Sequence, residues 1–166
     1  MTQDKTLLEL EGFLPYRLNV LAETASQSLA GIYRRRYRIS VPEWRIMATL
    51  GQFGAMTAKE IGQHSRMHKT KVSRAAAALE ARHMILRTAN TRDMRESFLD
   101  LTPRGTEVYR SLVPEARKFV DALLHPLDEG ERALLDRLLT RLTRQAELLS
   151  ANLQREAATT GETAAG

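Results

Sequence analysis

Between Thr57 and Leu101 the chain packs two short helices with marked starts, a tight turn between them, and two strand-like runs joined by a polar turn. Few folds accept that order in so few residues. Thr57 with Glu60 three residues on forms a capping box, in which hydroxyl and carboxylate satisfy amides that a helix start leaves free. It opens a short helix through Ile61 to about Ser65, and a tight turn follows at Arg66 and Met67. The next helix is predicted from about His68 to Arg82. Val72, Ala75, Ala76 and Leu79 recur there at three- and four-residue steps, and the four alanines 75–78 favour helix and allow close packing. Ile85–Ala89 and Ser97–Leu101 read as short strands, joined by the polar segment 90–96. Together these elements describe a winged helix-turn-helix.

The flanks are helical. Leu14, Leu18, Leu21, Ala25, Leu29 and Ile32 mark one face of a long helix over Leu14–Arg36, and the basic residues Arg34, Arg35, Arg36 and Arg38 complement the dipole at its end. Ser40, Pro42 and Glu43 announce a second helix, in which Trp44, Met47 and Leu50 face inward; residues 51–55 break the pattern. Thr102 and Pro103 start another helix, carrying Val108, Leu112, Ala116, Phe119, Val120 and Leu123, with Pro114 expected to kink it. In the last helix, about Asp128 to Gln154, Leu135, Leu142 and Leu149 stand seven apart and interleave with Leu139, Ala146 and Leu153. That is a seam for another helix. Residues 155–166 lack apolar bulk and are expected to form a disordered tail.

Charge locates the working surface. The chain carries 25 Lys+Arg and 20 Asp+Glu, net +5, too small an excess to name a partner. Residues 57–95 hold nine basic and three acidic side chains, net +6, whereas 1–56 give +2 and 96–166 give −3. Twenty of the cations are Arg, whose planar fork suits phosphate and guanine. The absence of cysteine excludes disulfides, thiolate nucleophiles and cysteine-ligated metal centres. No apolar run reaches a bilayer span and no secretory leader is read, so a cytoplasmic protein without membrane contact is expected. No nucleophile triad, phosphate loop or metalloprotease helix is visible, and no enzymatic activity and no cofactor are expected.

The second helix of a helix-turn-helix presents its N-terminal residues to the major groove. Here these are His68, Lys69, Thr70, Lys71, Ser73 and Arg74, with Thr57 added from the start of the preceding helix. The cations reach phosphate or guanine, and the hydroxyls bond phosphates or bases. Arg92 and Arg95 at the hairpin tip suit the minor groove, with Asp93 placed to orient one of them or to serve as a turn residue.

The run Asp93-Met94-Arg95-Glu96-Ser97-Phe98-Leu99-Asp100-Leu101-Thr102 resembles the wing motif D-x-R-x-x-x-L-x-L-T of the MarR family of bacterial transcription regulators. The resemblance extends over roughly residues 14–154 in element order and includes Ser73-Arg74 and Thr102-Pro103-x-Gly105. It implies a mainly α fold with a small β-wing, in which N- and C-terminal helices intertwine in a homodimer. Two winged lobes then grip a near-palindromic operator in double-stranded DNA. The expected divisions are 1–38 and 103–154 for dimerisation, through Leu14, Leu135, Leu139, Leu142, Leu149 and Leu153, and 39–102 for DNA binding. Two departures stand out: His68 replaces an acidic helix cap, and His83 replaces glycine after the recognition helix, where it is expected to adopt the left-handed conformation.

Three further readings complete the sequence picture. Residues 13–21 and 41–45 look like the subgroup responding to aromatic acids or hydroxycinnamoyl-CoA thioesters. Tyr16, Leu18, Leu21 and Trp44 are then candidates to line a flat apolar cavity, with Arg17 or Arg45 on a carboxylate or CoA phosphate. Core packing accounts for the apolar members equally well. Glu60, His64 and His68, four apart, raise a metal-responsive reading, but the turn at Arg66–Met67 breaks the single helix that such spacing needs. A DNA-binding structural or partner-recruiting protein without an effector is the other alternative.

Overall fold

The computed structural model describes residues 7–89 and 96–163, with side chains through Ala158. In chain order these form α1 (Leu14–Tyr37), α2 (Val41–Phe53), β1 (Met56–Thr57), α3 (Ala58–Ser65), α4 (Lys69–Ala81), β2 (Ile85–Ala89), β3 (Ser97–Leu101), α5 (Pro103–Leu124) and α6 (Glu129–Thr163). The chain divides into two compact units, one through Phe119 and the other from Val120 onward.

The first unit is built around one apolar cluster, fed by every element from α1 to α5. Tyr33, Ile39, Ile46, Met47, Ile61, Val72, Leu79 and Leu99 are its largest fully buried side chains. Both expected capping boxes form. The Ser40 amide donates to Glu43 Oε2 at 2.6 Å, and the Thr57 amide to Glu60 Oε2 at 2.8 Å. The hydroxyls of Ser40 and Thr57 accept from the Glu43 and Glu60 amides in return.

Helix α2 runs through Gly51 to Phe53, beyond the break expected at residue 51. Gly51 is helical, and a Cβ there would lie 2.5 Å from the Tyr109 ring of α5. Its missing side chain therefore makes room for a neighbour and does not mark a turn. The chain bends only at Gly54, where φ is +78°.

The sheet has three antiparallel strands in the order β1-β3-β2, one more than the sequence suggests. Met56 and Thr57 pair with Leu99 and Phe98, and Ile85–Ala89 pair with Leu101–Ser97. Two residues are too few to show the alternation by which a strand is read, so β1 escapes a pattern search. His83 takes the expected left-handed conformation, φ 54°. The Thr102 hydroxyl donates to the His83 carbonyl at 2.7 Å and accepts from the Gly105 amide at 3.0 Å, fixing the start of α5 against the end of α4.

The second unit contains α6. Leu139, Leu142, Leu149 and Leu153 of the expected seam are exposed, and Leu135 is half-buried. Helix α6 reaches Thr163, which corrects the disordered tail expected from residue 155. Extending an existing helix requires no new nucleus, and Glu156, Ala157 and Ala158 have high helix propensity. Among the described residues no helix is long and apolar enough to cross a membrane.

Candidate nucleic-acid interface

The turn between α3 and α4 is built by local backbone chemistry. Arg66 ends α3 in the left-handed region, φ 54°, and the Met67 amide donates to the Gly62 carbonyl at 3.0 Å. Met67 then drops into the core. His68 stands at the N-cap of α4 and substitutes a ring nitrogen for the usual oxygen: Nδ1 accepts from the Thr70 amide at 3.4 Å.

From there α4 segregates its faces. Val72, Ala75, Ala76 and Leu79 are buried, whereas Lys69, Thr70, Lys71, Ser73 and Arg74 are exposed. Among the described residues Lys69, Lys71 and Arg74 pair with no carboxylate. Their charge is therefore available to an outside anion. A groove of about 680 Å³ runs beside the start of α4, bordered by Lys59 and Gln63 of α3, Lys69 of α4, and Arg87 and Ser97 of the sheet. Arg87 donates to Ser97 Oγ at 2.9 Å and lies 3.5 Å from Glu80 of α4, which ties the hairpin to that helix. The sequence reading did not single out Arg87 or Lys59; on a strand or helix alone each is one more surface cation.

Thr57 also lines this groove, but as a helix cap. It is 5% exposed, and its hydroxyl donates to Glu60 Oε2 at 2.8 Å. As an N-cap it is turned inward by the helix start that it stabilises. The two bonds from the Thr57 amide and hydroxyl hold the Glu60 carboxyl below its ordinary value. Arg92, Asp93 and Arg95 lie outside the described residues.

Glu60, His64 and His68 are not brought together as ligands. Glu60 is held by Thr57, the His64 ring packs on Phe53 with centroids 4.5 Å apart, and His68 caps α4. Among the described residues no group of three potential metal ligands is assembled.

The effector candidates are also separated within one chain. Tyr16, Arg17, Leu18 and Leu21 are exposed on the first two turns of α1. Trp44 is half-buried in a ring stack, 5.5 Å from Tyr33 and 6.2 Å from Tyr109, and Arg45 is exposed. At a rise of 1.5 Å per residue, Tyr16 lies about 25 Å along α1 from Tyr33. Burial raises the Tyr33 phenol above its ordinary value and outweighs the opposing influence of Arg34 and Arg45.

A capped helix-turn-helix followed by an antiparallel hairpin, with an exposed cationic second helix, defines a winged-helix DNA-binding lobe. Residues 39–97 match the model of the MarR family. The HTH-type transcriptional repressor MdtR of Bacillus subtilis is 29% identical over 118 residues, 71% of this chain and 66% of that protein. The MarR family transcriptional regulator SPO1453 of Silicibacter pomeroyi DSS-3 superposes with a TM-score of 0.69 at 29% identity, covering 82% of this chain and 99% of that one. NadR, solved in complex with 4-hydroxyphenylacetate, shares the fold with a TM-score of 0.68 at 21% identity, over 86% of this chain and 97% of its own. Residues 39–97 thus match the MarR family of transcriptional regulators, and the chain as a whole is similar to regulators of that family.

Proposed function

We propose that the protein is a ligand-responsive repressor that binds a near-palindromic operator as a homodimer, in the cytoplasm. The observation that carries this reading is the face of α4, where Lys69, Lys71 and Arg74 stand exposed beside Thr70 and Ser73, without a counter-ion among the described residues. In a dimer the two α4 helices enter successive major grooves, about 34–36 Å apart. His68 positions the first turn of α4, and Arg92 and Arg95 of the wings reach the flanking minor grooves. The exposed leucines of α6, with Leu14 of α1, supply the dimer seam. Residues 1–38 and 103–154 then serve dimerisation, and 39–102 DNA binding.

Bound at a promoter, such a dimer excludes polymerase. A small aromatic acid or aryl-CoA that prefers a DNA-incompetent lobe spacing releases it; a coupling of about 1–3 kcal/mol weakens operator affinity about 5- to 150-fold. Because Tyr16, Arg17, Leu18 and Leu21 stand far from Trp44 within one chain, this effector site needs α1 of a second copy beside the Trp44 and Arg45 region. NadR, in complex with 4-hydroxyphenylacetate, makes an aromatic carboxylate the first ligand to try.

The test is a mobility shift on DNA flanking the gene, repeated across salt concentrations with unrelated competitor DNA. A retained preference for the flanking fragment is expected, with weakening on addition of the effector. Equal affinity for unrelated sequence contradicts the regulator.

A further inference from the structure

Arg82 closes α4, and its side chain meets the ends of two other helices. Nη1 donates to the carbonyls of Tyr37 at 3.4 Å and Arg38 at 3.2 Å, the last turn and cap of α1. Nη2 pairs with Glu43 Oε1, in the first turn of α2, while Nε donates to the Ala78 carbonyl at 3.2 Å. The second Glu43 oxygen is engaged by the Ser40 amide. One guanidinium thus joins the C-terminus of α1, the N-terminus of α2 and the C-terminus of α4.

Each partner needs a cation. The last carbonyls of α1 carry the partial negative charge of a helix end. Glu43 is 7% exposed, and a carboxylate so buried is costly without a counter-charge. A planar fork with fixed donor directions meets these acceptors at once; a lysine ammonium on a flexible stem does not hold the same angles. Apolar contact between α1 and the rest of the lobe centres on Ala30 and Tyr33, so the polar tie at Arg82 is the one that reaches α4 directly among the described residues.

We infer that Arg82 is a positioning residue: with Glu43 it sets the angle between α1 and α4, and thereby the separation of the two recognition helices in the dimer. The inference rests on the DNA-binding dimer proposed above. Arg82 lies at the far end of α4 from Lys69–Arg74, so its loss leaves the DNA-facing side chains in place and releases their orientation relative to α1. Half-site recognition is retained and the choice of half-site spacing is lost.

The experiment uses the full chain and a duplex selected from random sequence by the wild-type protein. Affinity is measured for that duplex, for versions whose half-site spacing is changed by one or two base pairs, and for a single half-site. Wild type is expected to prefer the parent spacing by about tenfold or more, the scale of hydrogen bonds to charged groups. Arg82→Gln is expected to remain dimeric in sedimentation, to bind the single half-site within about twofold of wild type, and to discriminate spacings poorly. Arg82→Lys, which keeps the charge, is expected to fall between them, and it decides the matter by the same comparison if Arg82→Gln does not fold. A folded variant with the wild-type spacing profile, or one that weakens on half-site and full site equally, overturns the inference alone. A wild type that selects no sequence overturns the DNA-binding reading and the inference with it.

Discussion

Gly105 occupies a place where no side chain fits. A Cβ there would sit 1.9 Å from the Met84 carbonyl oxygen, which is backbone and already accepts from the Thr102 amide at 3.1 Å. At Gly51 the obstacle is the Tyr109 ring, which can move. Gly105→Ala should therefore destabilise the protein by about 3 kcal/mol, and Gly51→Ala by less, since a ring can shift where a backbone carbonyl cannot. Urea unfolding of the two variants checks the order, and equal stabilities would contradict the packing. At the start of α3, Thr57→Val should cost about 1 kcal/mol, because the cap hydroxyl goes while the shape stays. The Glu60 carboxyl, lowered by the Thr57 bonds, adds a pH dependence. A group with a depressed folded value stabilises above its ordinary 4.5 and loses that contribution as pH falls through the folded value. The gap in melting temperature between wild type and Thr57→Val should thus narrow on acidification to the part owed to the bond from the Glu60 amide, and a constant gap contradicts the bond to the carboxylate.

At the scale of elements, α4 separates a buried apolar face from an exposed cationic one. Leu79 is fully buried, so Leu79→Ala should cost about 2–5 kcal/mol of stability. Lys71→Ala and Arg74→Ala lie on the exposed face and should change stability by less than about 0.5 kcal/mol. Each should weaken DNA binding by about 1–3 kcal/mol if it touches a base; a phosphate contact instead gives uniform weakening and a shallower salt slope. Circular dichroism melts paired with DNA titrations distinguish the two kinds of change. This division was legible in the sequence because Val72, Ala75, Ala76 and Leu79 repeat with the helical period, and because Thr57 and Glu60 form a local cap. What escaped the reading depends on contacts distant in sequence. Strand β1 exists through its pairing with β3, and the helical Gly51 answers to Tyr109, 58 positions away. The inward turn of Thr57 was a matter of choosing between two uses of one hydroxyl. The separation of Tyr16 from Trp44 follows from the uninterrupted length of α1, which residue composition does not convey.

For the whole molecule, the exposed leucines of α6 and the first turns of α1 carry the case for a second copy. Leu142, Leu149 and Leu153 are 42%, 54% and 65% exposed in one chain, an apolar row that a partner helix would cover. Removing residues 129–166 should give a monomer or an unfolded chain in sedimentation, whereas a stable dimer without them contradicts the seam. The proposed dimer would bring two +6 segments into one particle, so the modest net charge of a single chain would understate the field that DNA meets. The central claim, that two α4 faces read one DNA site, is tested most directly by selecting bound duplexes from a random pool with the full-length protein. Enrichment of a near-palindrome with half-sites about 10–10.5 base pairs apart, bound by two chains, is the predicted result. A pool that stays random after repeated rounds, with binding that simply fades as salt rises, would contradict it.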